Sequence, residues 1–325
     1  MSRIIFVPQY PTPMRYQEWW YDEMPFKLRQ AGFDVEVLGD YWVKQFRNVE
    51  SDPKMFSPIN TAINFEAEQI KQYMNMNLYT DDILFLADLS FPGFFANVLY
   101  HKNPSRSYAF CHATSINTYD YFEDVSYSKF LVERAHAKVF EKIFVGSYYH
   151  RDKIEFPNCE VVYLPIPPLK TFRSKKKKYD IVSASRPTKQ KVDMGLEMAV
   201  ENKFNTKIIR KKFDTWEKYY KFLSQSKILL VTSHEDTFGY QLVDAALNDC
   251  IPIARKALAY PEILPSTYLY EDRDELFRRI ESVLESYTDS PTSSKWAGPV
   301  PVPDILCYEE MEEFYDRIIE TFKGE

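Results

Sequence analysis

Short apolar runs, each followed by a stretch of helical character, recur along the whole chain, and that alternation constrains the fold more than any other feature. The first run is Ile4-Ile5-Phe6-Val7, followed by a Pro-containing loop, a helix-like stretch from about Glu18 to Ala31 that stops at Gly32, and then Val35-Glu36-Val37-Leu38. Ile83–Leu86, Ser107–Phe110, Ile143–Val145 and Glu160–Tyr163 continue the series. Short buried strands that alternate with helices predict a parallel, doubly wound sheet covered on both faces.

Near residue 165 the character changes. Pro165-Ile166-Pro167-Pro168 leads into a basic run, Arg173-Ser174-Lys175-Lys176-Lys177-Lys178, which reads as a solvated linker because a block of like charges usually stays in water. A second β/α series follows, with strands expected at Asp180–Ser183, Thr206–Ile209, Lys227–Val231, Ile251–Ala254 and Tyr268–Tyr270, and helices around 192–202, 215–224, 240–248 and 274–286. A Pro-rich stretch (Pro299, Pro301, Pro303) precedes an amphipathic helix expected from Glu309 to Phe322. At 325 residues the chain has about twice the usual length of one domain. The expected division is 1–165, 166–305, and a C-terminal helix within 306–325 that packs back on the first domain. In such folds ligands bind outside the carboxyl ends of the strands.

Composition narrows the function. Forty-one Lys and Arg against 47 Asp and Glu give a net charge of −6, which argues against a surface that is basic throughout. No apolar run approaches the roughly 18 residues that span a bilayer, and the apolar stretch after Arg3 is too short for a signal-peptide core, so a cytoplasmic protein without integral membrane association is expected. Cys111, Cys159, Cys250 and Cys307 form no CxxC pair and read as ordinary buried thiols. The eight glycines form neither GxGxxG nor GxxxxGK, so the standard dinucleotide fingerprint and the P-loop are both missing.

The most informative stretch runs from Val231 to Ala254: a strand, the acidic turn His234-Glu235-Asp236-Thr237-Phe238-Gly239, a helix carrying Asp244, and another strand. Asp236 and Asp244 would have Cα atoms ~12 Å apart along a helix at ~1.5 Å per residue, a span that suits the two ends of a nucleotide-sugar. Carboxylates, which only accept hydrogen bonds, are natural partners of vicinal hydroxyls, and the helix start near Gly239 offers backbone N–H groups to a phosphate. The plainer reading has Asp236 capping the helix and Asp244 on a solvated face.

This stretch resembles the donor-binding signature of the family 4 retaining glycosyltransferases, Glu-x7-Glu around a Thr-Phe-Gly, with Asp236 and Asp244 on the two glutamates. The resemblance implies the GT-B fold, two Rossmann-like doubly wound domains facing a cleft, and a UDP- or GDP-sugar donor without any further cofactor or metal. It implies that Asp236 contacts the donor sugar, with Glu235 adjacent, and that Asp244 holds the ribose. Ser183-Ala-Ser-Arg-Pro-Thr-Lys-Gln-Lys-Val192 is similar to the family's Gly-Arg-x4-Lys-Gly loop, with Ser185 and Val192 in place of its glycines. Arg186 and Lys191 there take the places of the cations that bind the diphosphate, and a guanidinium and an ammonium stabilise the charge that grows on such a leaving group. His112, in Phe110-Cys-His-Ala-Thr-Ser115, stands where the family often carries a histidine that faces the donor sugar; a lone histidine after a strand is otherwise a hydrogen-bonded structural residue. Arg15, Tyr16, Trp19 and Trp20, in the aromatic loop from Gln9 to Trp20, either stack on a flat acceptor or pack as core. Asp272-Arg-Asp274 resembles the metal-binding Asp-x-Asp of the other large glycosyltransferase fold, yet sits where a helix cap is expected.

Two islands, Ala259–Tyr270 with Leu276 and Arg279, and Cys159–Ile166, are similar to the queuosine-tRNA mannosyltransferase branch of that family. They imply an acceptor hydroxyl on a modified base in tRNA or DNA, as phage enzymes also use, in which case the compartment is the host cytoplasm. Three other readings stay open: transfer to a glycan or small molecule, a nucleotide-sugar epimerase on the same fold, and a non-catalytic nucleotide-sugar-binding module.

Overall fold

The computed structural model describes residues 2–46, 58–104, 106–118, 123–287 and 302–324; Pro299 and Pro301 of the Pro-rich stretch lie outside them. The chain divides into two compact units, Met1–Pro165 with Glu310–Glu325, and Ile166–Glu309.

The first unit is built on a six-stranded parallel sheet of β1 (Arg3–Val7), β2 (Asp34–Val37), β3 (Ile83–Leu86), β4 (Arg106–Cys111), β5 (Lys142–Val145) and β6 (Cys159–Val161), in the order β2-β1-β3-β4-β5-β6. β3 is buried over its whole length, as a strand with helices on both faces must be. The helix Phe314–Lys323 belongs to this unit, and its Phe322 ring packs on Tyr108 at 4.9 Å and Phe85 at 5.2 Å. Arg106 fastens the helix end by donating to the carbonyls of Phe322 (2.7 Å) and Thr321 (3.0 Å), which satisfies acceptors that a helix C-terminus leaves open. The single helix expected from Glu309 to Phe322 is two, Tyr308–Glu312 and Phe314–Lys323.

The second unit holds a five-stranded parallel sheet of β7 (Tyr179–Val182), β8 (Ile208–Ile209), β9 (Ser226–Val231), β10 (Ile251–Arg255) and β11 (Leu269–Tyr270), in the order β11-β10-β9-β7-β8. Ile181, Ile228, Leu230, Ile251 and Ile253 form the centre of its core, closed by Leu276 and Ile280 of the helix Arg273–Ser286. Local chemistry sets the helix starts. Asp193, Thr215 and Asp272 each accept a hydrogen bond from the backbone N–H three residues on, capping Met194–Phe204, Trp216–Ser224 and Arg273–Ser286. Asp272 is therefore the helix cap that its position leads one to expect.

Within the basic run Arg173, Lys175, Lys176 and Lys178 are exposed as expected, and Lys177 alone departs from the solvated linker. The side chain of Lys177 is only 7% exposed, and its ammonium donates to the Ser224 and Asp249 carbonyls, with the Asp249 carboxylate at 3.1 Å. The backbone N–H groups of Lys178 and Tyr179 both bond the Gln225 carbonyl. A buried ammonium needs acceptors on all sides, and the turn between Trp216–Ser224 and β9, together with Asp249, supplies them.

Candidate functional site

In the second unit the chain leaves β7 in one direction to form β8 and returns on the other side as β9, so the sheet has its topological switch point between β7 and β9. Loops leaving the carboxyl ends of two such strands open a crevice between them. These loops carry the residues singled out from sequence: Arg186 and Lys191 after β7, and Glu235, Asp236, Thr237, Phe238 and Gly239 after β9.

The two loops are tied together by backbone. The Gln190 carbonyl accepts the N–H groups of His234 (2.9 Å) and Glu235 (3.2 Å), Ser233 Oγ donates to the Lys191 carbonyl at 3.2 Å, and the Asp193 N–H donates to Thr232 Oγ1 at 3.0 Å. This lacing brings Lys191 Nζ to 3.3 Å from Asp236 Oδ2 and 3.0 Å from the Glu235 carbonyl. The cation and the carboxylate are 19% and 15% exposed, so both remain within reach of a ligand. Arg186 is exposed on the same loop, and neighbouring Ser185 Oγ lies 3.0 Å from Oε1 of Gln241, on the helix Tyr240–Leu247. Glu235 is 2% exposed and Phe238 3%; both turn inward, leaving Asp236 as the carboxylate at the rim.

Gly239 caps the helix Tyr240–Leu247 with φ +102°, and a Cβ there would lie 2.8 Å from Cε1 of Tyr260. Only glycine fits both the left-handed backbone and the contact. Tyr260 is fully buried, and its hydroxyl donates toward Asp236 Oδ2 at 3.4 Å. Its support of Asp236 from 24 residues away is a tertiary contact without a local signal in the sequence.

Asp244 stands in different surroundings from Asp236. It is 4% exposed and accepts a 2.7 Å hydrogen bond from the Tyr220 hydroxyl. Burial raises its pKa to about 7, with the hydrogen bonds from Tyr220 and Tyr219 pulling the other way. The solvated-face alternative for Asp244 is thereby excluded.

The first unit gathers a second cluster at the carboxyl ends of its strands. Its switch point lies between β1 and β3, where Gln9 Nε2, after β1, donates to Asp88 Oδ2, after β3, at 2.5 Å. Asp88 also accepts the N–H of Ser90 at 3.0 Å and that of His112, yet burial dominates and pushes its pKa up to about 8. His112 is 9% exposed and its ring packs against Phe110 (4.4 Å), Tyr16 (4.7 Å) and Trp20 (4.9 Å). Burial, then the neighbouring His150, drive its pKa down to about 3 against a hydrogen bond to the Ala87 backbone. His112 is a neutral imidazole at physiological pH, and its Nε2 has no hydrogen-bond partner among the described residues. Trp19 and Trp20 are 6% and 3% exposed and pack as core on the helix Tyr16–Gln30, whereas Tyr16 covers His112. Asp88 was not identified from sequence because its partners Gln9 and His112 are 79 and 24 residues away.

Among the described residues no group of three or more His, Cys, Asp or Glu side chains is placed to hold a metal ion, and no helix is long and apolar enough to cross a membrane.

Comparison with solved structures places the architecture. Sucrose-phosphate synthase from Thermosynechococcus elongatus superposes over 100% of this chain and 98% of its own with a TM-score of 0.62 at 11% identity. The UDP-forming α,α-trehalose-phosphate synthase from Burkholderia vietnamiensis superposes over 100% of both chains with a TM-score of 0.56 at 10% identity. The fold is GT-B. The doubly wound parallel sheets expected from the strand pattern are those of GT-B glycosyltransferases, and at these identities the likeness concerns the fold. No protein-family model matches the chain. Among curated proteins, the tRNA-queuosine alpha-mannosyltransferase of Drosophila melanogaster is 31% identical over 81 residues, 25% of this chain. The match spans only 22% of that relative.

Proposed function

We propose that this GT-B protein is a retaining glycosyltransferase that moves a sugar from a nucleoside-diphosphate sugar to an acceptor hydroxyl. One observation carries the reading: the laced loops at the second switch point hold Lys191 Nζ 3.3 Å from Asp236, beside exposed Arg186. A phosphate-binding cation and a hydroxyl-binding carboxylate side by side suit the junction of a sugar and its diphosphate. As the bond to the anomeric carbon breaks, negative charge grows on the diphosphate, and Arg186 and Lys191 stabilise it without a divalent ion. Donor binding exchanges the Lys191–Asp236 pair for Lys191–phosphate and Asp236–sugar contacts. Tyr260 keeps Asp236 oriented during that exchange, and Asp244 holds the ribose hydroxyls when ionised. His112 contacts substrate as a neutral hydrogen-bonding group. The acceptor hydroxyl attacks the anomeric carbon from the face that the diphosphate leaves and passes its proton to the departing diphosphate oxygen, so no protein nucleophile is needed.

A UDP donor is favoured by the UDP-forming synthase with the same fold. A hydroxyl on a modified base in tRNA or DNA is favoured as acceptor by the match to the tRNA-queuosine mannosyltransferase. The test is to incubate the protein with α-configured UDP- and GDP-sugars and hydroxymethylated DNA or queuosine-containing tRNA, and to assign the anomer of the product by NMR. An α-linked product supports the reading. A β-linked product overturns retention, and free epimerised sugar without transfer overturns the transferase assignment.

A further inference from the structure

Charge is segregated along this acidic chain. Residues 166–227 contain 17 Lys and Arg against 6 Asp and Glu, a net +11 within a protein of net −6, so the remaining residues total −17. Such asymmetry creates a local positive field that net charge hides. Much of the excess lies on one side of the second unit, where residues 170–179 run alongside the helix Trp216–Ser224. Lys177, anchored on the Ser224 and Asp249 carbonyls, pins that run down. Lys170 and Lys221 both lie over the Phe172 ring, at 5.7 and 5.3 Å, and Lys211 lies over Tyr179 and Phe222 at 4.5 and 5.4 Å.

The carboxylates nearby are already used: Asp180 pairs with Lys227, Asp214 with Lys218 and Glu217 with Lys221. Lys170, Arg173, Lys175, Lys176 and Lys178 are exposed and form no ion pair among the described residues; Lys211 and Lys212, just past the β8 edge, are likewise exposed and without an ion pair among them, Lys211 donating to the Tyr179 hydroxyl at 2.7 Å. A row of cations without carboxylate partners on ordered backbone has little backbone freedom left to lose, which suits repeated phosphates better than a floppy tail does. A membrane surface fits less well. Interfacial binding needs apolar side chains to insert, and the exposed large hydrophobic residues described in this unit are Met194, Met198, Leu306 and Tyr308, all outside the patch.

We propose that the face formed by residues 170–178 with Lys211 and Lys212 binds the sugar-phosphate backbone of a nucleic acid. The inference rests on the nucleic-acid acceptor reading and supplies the basic surface that an acidic protein would otherwise lack. It makes binding independent of base sequence, leaving selection of the modified base to the catalytic residues.

The test uses the full chain and a variant combining Lys175→Glu, Lys176→Glu, Lys178→Glu, Lys211→Glu and Lys212→Glu, with Lys177 untouched. Fluorescence anisotropy of a labelled DNA duplex of about 30 base pairs and of a tRNA transcript is followed across a salt series. The wild type is expected to bind with an affinity that falls steeply with salt. The variant is expected to bind at least ~10-fold more weakly near ~100 mM salt, with a log–log salt slope shallower by about 4. Its unfolding temperature and its response to UDP are expected to match wild type. Equal binding by both proteins, or no binding by wild type, overturns the proposal. Phosphatidylserine vesicles captured through these lysines, with nucleic acid ignored, overturn it in favour of a lipid surface. Nucleic-acid binding that is lost in the variant, in a protein that responds to no nucleoside diphosphate, supports the face and overturns the transferase reading instead.

Discussion

Replacing Asp244 by Asn should change how stability depends on pH, because burial holds this carboxyl's pKa at about 7 in the folded protein against 3.8 for the ordinary group. A carboxyl whose pKa is raised on folding binds more protons folded than unfolded between those values, so its contribution is full below about pH 4 and disappears as pH rises through about 7. Linkage over this window gives a loss of about 2.5 kcal/mol between pH 5 and pH 8. Asn cannot titrate, so the Asp244→Asn protein lacks this component, and the difference between the two proteins isolates it from Asp88 and Glu66, which are also raised. Urea unfolding of both proteins at several pH values measures the difference. Tyr220→Phe removes the 2.7 Å hydrogen bond and should cost about 1–3 kcal/mol at pH 8, where the carboxylate is charged, and less at pH 5. If Asp244 holds the ribose, donor affinity rises through the same window in wild type and not in Asp244→Asn. Parallel stability profiles for wild type and Asp244→Asn would refute the assigned burial of this group.

Three further outcomes follow from the packing and the site. Arg186→Ala should lower turnover at saturating donor by about 100-fold or more while leaving the unfolding temperature unchanged, since an exposed cation acts on the leaving group and not on the core; steady-state kinetics with thermal unfolding checks both. Gly239→Ala should destabilise the protein by about 1–3 kcal/mol, since it meets both a positive φ and the Tyr260 ring, and denaturant titration reads this directly. Phe322→Ala should cost about 3–5 kcal/mol by emptying the space over Phe85, Tyr108 and Phe144; a loss below ~1 kcal/mol, the level of a surface substitution, would contradict the burial assigned to it.

Much of the sheet scaffold was legible because buried parallel strands announce themselves as short apolar runs. Ile83–Leu86 is a strand with the bounds expected, framed by Thr80-Asp81-Asp82 and buried throughout. Thr206–Ile209 was legible only in part, and β8 shrinks to Ile208–Ile209 because it is the edge strand and Lys207 faces water. The loop pair at the β7/β9 switch point was legible through local motifs, since Arg186, Lys191 and Asp236 lie next to strand ends that the pattern located. What the sequence hid depends on distant partners. Lys177 looks like its solvated neighbours until Ser224 and Asp249 arrive from elsewhere in the chain, and Asp88 looks like a loop residue until Gln9 and His112 close on it. Asp236 and Asp244 look alike in one dimension, and burial of Asp244 beside Tyr220 and Tyr219 makes their surroundings differ.

The proposed sugar transfer requires the loops at the β7/β9 switch point to bind a nucleoside diphosphate through Arg186 and Lys191. Thermal unfolding with UDP, GDP and ADP, each alone and as its common sugar conjugates, tests it most directly, because a ligand selective for the folded state must stabilise it, by about 2.7 kcal/mol at 100 times Kd. One base is expected to raise the unfolding temperature in wild type, and Arg186→Ala with Lys191→Ala is expected to remove the effect. No response to any of them in wild type, with or without nucleic acid present, or an undiminished response in the double variant, would contradict it.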